Sequence, residues 1–169
     1  MKTAILAAAL LLAAPVTMAV TTTAQAQPAN WFTMKLTANI AKPAPEAWKL
    51  VGGEDWCGIA KYLDVKSCHI DKGTGDVGSL RTINGAILEI AVARTPLSYT
   101  YAQPAAANFY HGTMAVEPVD STHSRLTYTL IWNQTAVGDA KAQAEARDSR
   151  RSRFQAAVNK MAAAANAAK

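Results

Sequence analysis

The tail of the chain restricts the fold more than any other segment. From about Val137 to Ala168 there is no proline, one glycine near the start, and abundant Ala mixed with Arg, Lys, Glu and Gln, so helix propensity is high throughout. Within that stretch Phe154, Ala157, Val158, Met161 and Ala165 recur at three- and four-residue steps and form one apolar stripe. A single long helix must lay such a stripe on something. The available partner is a face of the strand-rich region that precedes it, and a curved antiparallel sheet wrapped around one helix leaves a space between them.

The upstream region alternates in the manner of strands. Trp31 to Ile40 places Phe32, Met34, Leu36, Ala38 and Ile40 at every second position, the period of a half-buried strand. Lys42-Pro43-Ala44-Pro45 stops it. Pro45 suits the first turn of a short helix over Glu46 to Val51, which Gly52-Gly53 ends, and a second short helix is expected from Glu54 to Ala60. Strands are then expected at Leu63–Ile70, Val77–Ile83, Ala86–Arg94, Leu97–Gln103, Asn108–Glu117 and Ser124–Thr135. Asn84-Gly85 is a strong hairpin signal, and Pro96, Pro104 and Pro118 fall at strand ends, where a missing N–H breaks no ladder bond. The sum is an α+β chain with a seven-stranded, mostly antiparallel meander.

The first residues bear on compartment. Lys2 supplies a positive start, Ala4 to Ala14 is almost wholly Ala, Leu and Ile, and Ala24-Gln25-Ala26 offers small residues for cleavage, so residues 1–26 read as a signal peptide. That run is too short for a membrane span, so a periplasmic or secreted protein is expected. Removing 26 of the 169 residues leaves 143, residues 27–169, the size of one domain with one core. Losing Lys2 takes the formal charge from +5 to +4. Much of the remainder sits in Arg147, Arg150, Arg151 and Arg153. Asp139, Glu145 and Asp148 lie among them at helical spacings, which favours local pairing on a solvated face over a contact with nucleic acid.

Cys57 and Cys68 are the only cysteines, and an oxidising destination permits a disulfide between them without requiring it. Together with the scattered His69, His111 and His123 they show no metal-ligand spacing, so neither metal nor cofactor is expected.

The element order resembles the helix-grip fold of the START-like, or SRPBCC, superfamily. That superfamily includes birch-pollen-type allergens, polyketide cyclase/dehydratase-like bacterial proteins and abscisic-acid receptors. Local wording resembles it as well: Val65-Lys66-Ser67-Cys68, Gly73 to Asp76, Val77-Gly78-Ser79-Leu80-Arg81, Asn84-Gly85, Glu89, Leu97-Ser98-Tyr99-Thr100-Tyr101, Phe109-Tyr110 and Ile131-Trp132. The likeness covers about Trp31 to Met161. It implies a lipid- or polyketide-sized hydrophobic cavity between helix and sheet, in a superfamily that mostly binds or transports and in part catalyses. It also implies that Lys66 stands where the hormone-receptor branch places a lysine against the ligand's carboxylate, and Glu89 where that branch keeps a pocket glutamate.

Strand parity names the other candidates, because alternate side chains point oppositely. Tyr110, Gly112, Met114 and Val116 share one face of their strand, Leu126, Tyr128, Leu130 and Trp132 another, and Leu97, Tyr99 and Tyr101 a third. From the tail helix, Phe154, Val158 and Met161 join them. Glu89 is ambiguous, since Ile87, Glu89, Ala91 and Ala93 compete with the more apolar Leu88, Ile90 and Val92 for the inner face. With Asn84-Gly85 as a two-residue turn, Ile83 lies opposite Ala86 and Arg81 opposite Leu88, so Arg81 and Glu89 fall on opposite faces; a longer loop reverses this.

Three functional readings follow. The first is non-covalent binding or carriage of an apolar or amphipathic small molecule. The second is cyclase- or dehydratase-like catalysis, with Glu89 as general base and Tyr99 or Tyr101 as acid or oxyanion donor. The third is an interaction module that meets anionic surfaces through Arg147 to Arg153. No Gly-x-Ser-x-Gly turn marks a nucleophile, and Gly73-Thr74-Gly75 lacks the following Lys-Ser/Thr of a phosphate loop. Binding is the favoured reading, and catalysis is not required by any motif.

Overall fold

In the computed structural model, residues 28–169 are described; the signal peptide expected at residues 1–26, and Gln27 at the start of the expected domain, lie outside them. Seven strands form one antiparallel sheet: β1 Trp31–Ile40, β2 Cys68–Lys72, β3 Leu80–Ile83, β4 Ile87–Thr95, β5 Ser98–Ala102, β6 His111–Pro118 and β7 Ser124–Asn133. Their order across the sheet is β1-β7-β6-β5-β4-β3-β2, so the first strand leaves the meander and pairs with the last. Helix α1 (Ala44–Leu50) and a 3-10 turn (Gly58–Tyr62) follow β1, and the long helix α2 (Ala140–Ala167) closes the chain. This is the helix-grip arrangement.

Period-two burial builds the inner face. Met34, Leu36 and Ile40 on β1 are buried, as are Leu126, Tyr128, Leu130 and Trp132 on β7, Gly112, Met114 and Val116 on β6, and Tyr99 and Tyr101 on β5. The pairs Leu36 with Tyr128 and Met34 with Leu130 stand side by side on adjacent strands, which is why alternation survives in every strand of this half. Helix α2 lies along β1 in the same direction. Arg147 stands over Phe32, Gln155 Nε2 donates to Thr37 O at 3.2 Å, and Ala41 N donates to Asn166 Oδ1 at 2.8 Å. Asp139 caps the helix by accepting from Ala142 N at 2.9 Å, satisfying one of the free amides of the first turn.

Several expectations need correction. The strand expected from Leu63 begins only at Cys68, because Asp64 takes a left-handed φ of 45° as the chain leaves the 3-10 turn. The second helix expected over Glu54–Ala60 is that shorter 3-10 turn. Strand β3 starts at Leu80, since Gly78, at φ 88°, still belongs to the preceding loop. The Asn84-Gly85 turn does form, with φ of 54° and 69° and Ala86 N donating to Ile83 O at 3.1 Å. Ala86 is nonetheless left over, and the ladder resumes with Ile83 opposite Ile87. That one extra residue moves Arg81 opposite Glu89, reversing the face assignment made for a two-residue loop.

Candidate ligand-binding cavity

The extra residue decides the polarity of the inner face at this edge of the sheet. On β4 the side turned inward carries Glu89 and Ala91, while the more apolar Leu88 and Val92 are exposed. Opposite Glu89, Arg81 is also turned in; the two are 4% and 2% exposed. Arg81 Nε donates to Glu89 Oε2 at 2.7 Å and Nη2 approaches the same oxygen at 2.6 Å. Gln103 Nε2 donates to the other oxygen, Oε1, at 2.9 Å. Arg81 Nη1 donates to the Trp56 carbonyl, and the guanidinium lies 4.5 Å from the Trp56 ring centroid and 5.1 Å from that of Tyr101. Burial works against the Arg81 charge, but Glu89, aided by Tyr99 and Tyr101, outweighs it and leaves the guanidinium above its ordinary range. The pair is internally satisfied, the condition under which buried charge is tolerable.

Beside this pair a partly open cavity of about 250 Å³ lies between the sheet, the segment before β2 and α2. The sheet contributes Arg81, Glu89, Tyr101 and Tyr128, the segment before β2 Ile59, Leu63 and Val65, the β3–β4 turn Ile83 and Ile87, the segment before β6 Asn108 and Tyr110, and α2 Arg150, Arg153 and Phe154. The hydroxyls of Tyr101 and Tyr128 share a hydrogen bond of 2.7 Å. Tyr101 packs closely against β6 because its neighbour there is Gly112; a Cβ at that position would collide with Cζ, Cε1 and the hydroxyl of the phenol. Burial raises the pKa of each phenol in this cluster: Tyr99 to about 12, and Tyr101, Tyr110 and Tyr128 further.

Of the residues singled out from sequence, Glu89, Tyr101, Tyr110, Tyr128 and Phe154 line the cavity. Tyr99, Met114, Leu130, Trp132, Val158 and Met161 are buried too, but in the solid part of the core. Lys66 is a correction: it is exposed, in the loop before β2, and contributes nothing to the lining, because the shortened strand no longer projects it inward. Its backbone N–H instead donates to Asn84 Oδ1 at 2.8 Å. Cys57 and Cys68 are bonded, with Cα atoms 5.7 Å apart, which fastens the loop carrying Ile59 and Leu63 to the start of β2.

The arginine cluster also differs from expectation. Among the described residues none of Arg147, Arg150, Arg151 and Arg153 makes an ion pair with Asp139, Glu145 or Asp148; Glu145 pairs with Lys141, and Asp139 is the helix cap. Arg147 donates to Gln134 Oε1 and covers Phe32. Arg150 lies 4.8 Å from the Trp132 ring centroid and 5.8 Å from that of Tyr110. These two side chains occupy the same helical face as Phe154 and Val158, one and two turns earlier, and that spacing was the available signal for them. Arg81 and Gln103 were also missed as site residues; the length of the loop after Ile83 was the only pointer to Arg81.

The site does not place Glu89 as a free base. Both its oxygens accept from protein donors, and Tyr99, whose hydroxyl faces the Met114 sulfur at 3.9 Å, is outside the cavity. Among the described residues, no cluster of three metal-ligating side chains occurs, and no helix is long and apolar enough to cross a membrane.

The sheet and its long closing helix make a helix-grip fold, and solved structures share it. An NMR structure of a Thermobifida fusca protein aligns with TM-score 0.59 at 17% identity, covering 76% of this chain and 92% of that one. The crystal structure of Ara h 8.0201 aligns with TM-score 0.53 at 16% identity, covering 78% and 98%. The Zhui aromatase/cyclase from a Streptomyces species aligns with TM-score 0.63 at 14% identity, covering 80% and 94%. No family model and no curated protein sequence matches the chain.

Proposed function

We propose that this protein binds a small apolar or amphipathic molecule non-covalently in the cavity between α2 and the sheet, and carries or stores it outside the cytoplasm after removal of residues 1–26. The supporting observation is the partly open cavity itself. About 250 Å³ persists beside an otherwise tightly filled core, with aromatic and aliphatic walls and a few fixed polar groups. Its size narrows the guest. A cavity of about 150 Å³ accommodates benzene, so this one suits a body of one or two rings, or a short acyl chain, better than a two-chain lipid. The disulfide is consistent with an oxidising destination. The Glu89 interactions favour carriage over chemistry, because Arg81 and Gln103 already occupy both of its oxygens.

Native mass spectrometry of the protein purified without detergent tests this. A co-purifying small molecule, or stoichiometric uptake of one- and two-ring compounds, is expected. A cavity that stays empty against a broad panel of such compounds and of short-chain fatty acids and alcohols would overturn the proposal.

A further inference from the structure

Three charged side chains besides the internally paired Arg81 and Glu89 border the cavity: Arg150, Arg153 and Asp64. Asp64 and Arg153 are exposed, whereas Arg150 is half-buried. Arg150 finds no carboxylate among the described residues. Its one hydrogen bond is a long one, 3.4 Å, to the Ala146 carbonyl of its own helix. Its charge rests instead on the faces of Trp132 and Tyr110, a weaker form of compensation than an anion. Burial, with Arg153 nearby, lowers its pKa from the ordinary arginine value, although Tyr110 opposes the shift. A second group in the same place is unsatisfied. The Tyr110 hydroxyl is buried, lines the cavity, and has no hydrogen-bond partner among the described residues. A buried hydroxyl without a partner is costly, and a guest that accepts from it removes that cost.

We propose that the cavity prefers a guest carrying one anionic oxygen group, a carboxylate or a phenolate, whose charge is met by Arg150 and whose oxygen accepts from the Tyr110 hydroxyl. This rests on the reading that the cavity binds small molecules, and adds to it a polarity and an orientation. The charged end sits at the rim under α2, and the apolar body points toward Ile83 and Ile87. Arg81 is not the anchor, since Glu89 already holds it; Arg150 lacks any such carboxylate.

Matched probes separate the two ideas. 2-Naphthoate and 2-naphthylmethanol share one aromatic body and differ in charge. By calorimetry, naphthoate is expected to bind about tenfold tighter than the alcohol, the effect of one charge-assisted hydrogen bond. Arg150→Met keeps the length and apolar cover of the side chain on a helix face. It is expected to bring the two probes to about equal affinity, by weakening naphthoate far more than the alcohol. Tyr110→Phe should weaken naphthoate several-fold and the alcohol, a poorer acceptor, by less. Equal affinities in the unsubstituted protein, or a preference that survives Arg150→Met, would overturn the proposal and leave small-molecule binding standing. Failure of both probes to bind would overturn the two together.

Discussion

The two halves of helix α2 meet the sheet in different ways. From Phe154 onward, Ala157, Val158, Met161, Ala162 and Ala165 are all buried, and small side chains let the helix lie close against Met34, Leu36 and Ile40. From Ala140 to Arg153 no residue is buried. There the stripe continues as Arg147 and Arg150, whose long side chains rest on aromatic rings. One stripe on one helix thus packs into solid core toward its end and borders the cavity near its middle, at Arg150, Arg153 and Phe154.

The largest effect that tests this contrast is expected in alkali. The buried phenols Tyr99, Tyr101, Tyr110 and Tyr128 all have folded-state pKa values above the ordinary 10.0, with Tyr99 at about 12. A raised folded value means that stability is intact below pH 10, then falls as unfolded phenols release protons that folded ones retain. The protein should therefore unfold cooperatively between pH 10 and 12, with phenolate absorbance rising together with loss of circular dichroism. Phenols of the cavity that titrate near pH 10 in a folded protein would mean that this end is wet.

Glu89→Ala strands the Arg81 charge and should lower unfolding free energy by about 3–5 kcal/mol in urea denaturation. The double change Arg81→Met with Glu89→Leu should recover most of that, since an apolar pair of similar volume needs no internal counter-ion. At the solid end, Met161→Ala should cost about 3 kcal/mol, whereas Arg150→Ala, beside existing space, should cost less than about 1 kcal/mol. Comparable losses at the two positions would erase the distinction. Gly112→Ala should cost about 1–3 kcal/mol by forcing Tyr101 off β6. The same change should break the contact with the Tyr128 hydroxyl, which ligand binding would register.

The solid half was the more legible in the sequence. Strand β1 runs from Trp31 to Ile40 as its alternation indicated, and Phe154, Val158 and Met161 are buried as their spacing required. In both cases one face is apolar over many residues, so a single period carries the information. The cavity half resisted for the opposite reason. Its inward residues include Arg81, Glu89 and Arg150, and an apolarity rule assigns such side chains to solvent. Only pairing across β3 and β4 reveals two of them as partners, and that pairing turns on Ala86, one residue whose place in the ladder no local preference dictates. Tyr110 illustrates a smaller failure. It was placed by strand parity, but the chain before β6 turns through Phe109 at φ 48°, so it reaches the cavity from a loop.

The pairing of β1 with β7 has a consequence for how the chain reaches this state. Trp31 faces Asn133 and Ile40 faces Ser124, and the surface they complete is covered mainly by α2, whose buried residues run from Phe154 to Ala165. Hairpins of the meander can form early, but the nucleus of the solid half joins opposite ends of the polypeptide, a loop closure of high entropic cost. Folding is therefore expected on the slow, millisecond-to-second side of the range for domains of this size. A ribosome-bound chain lacking its last turns has no finished interior to bury.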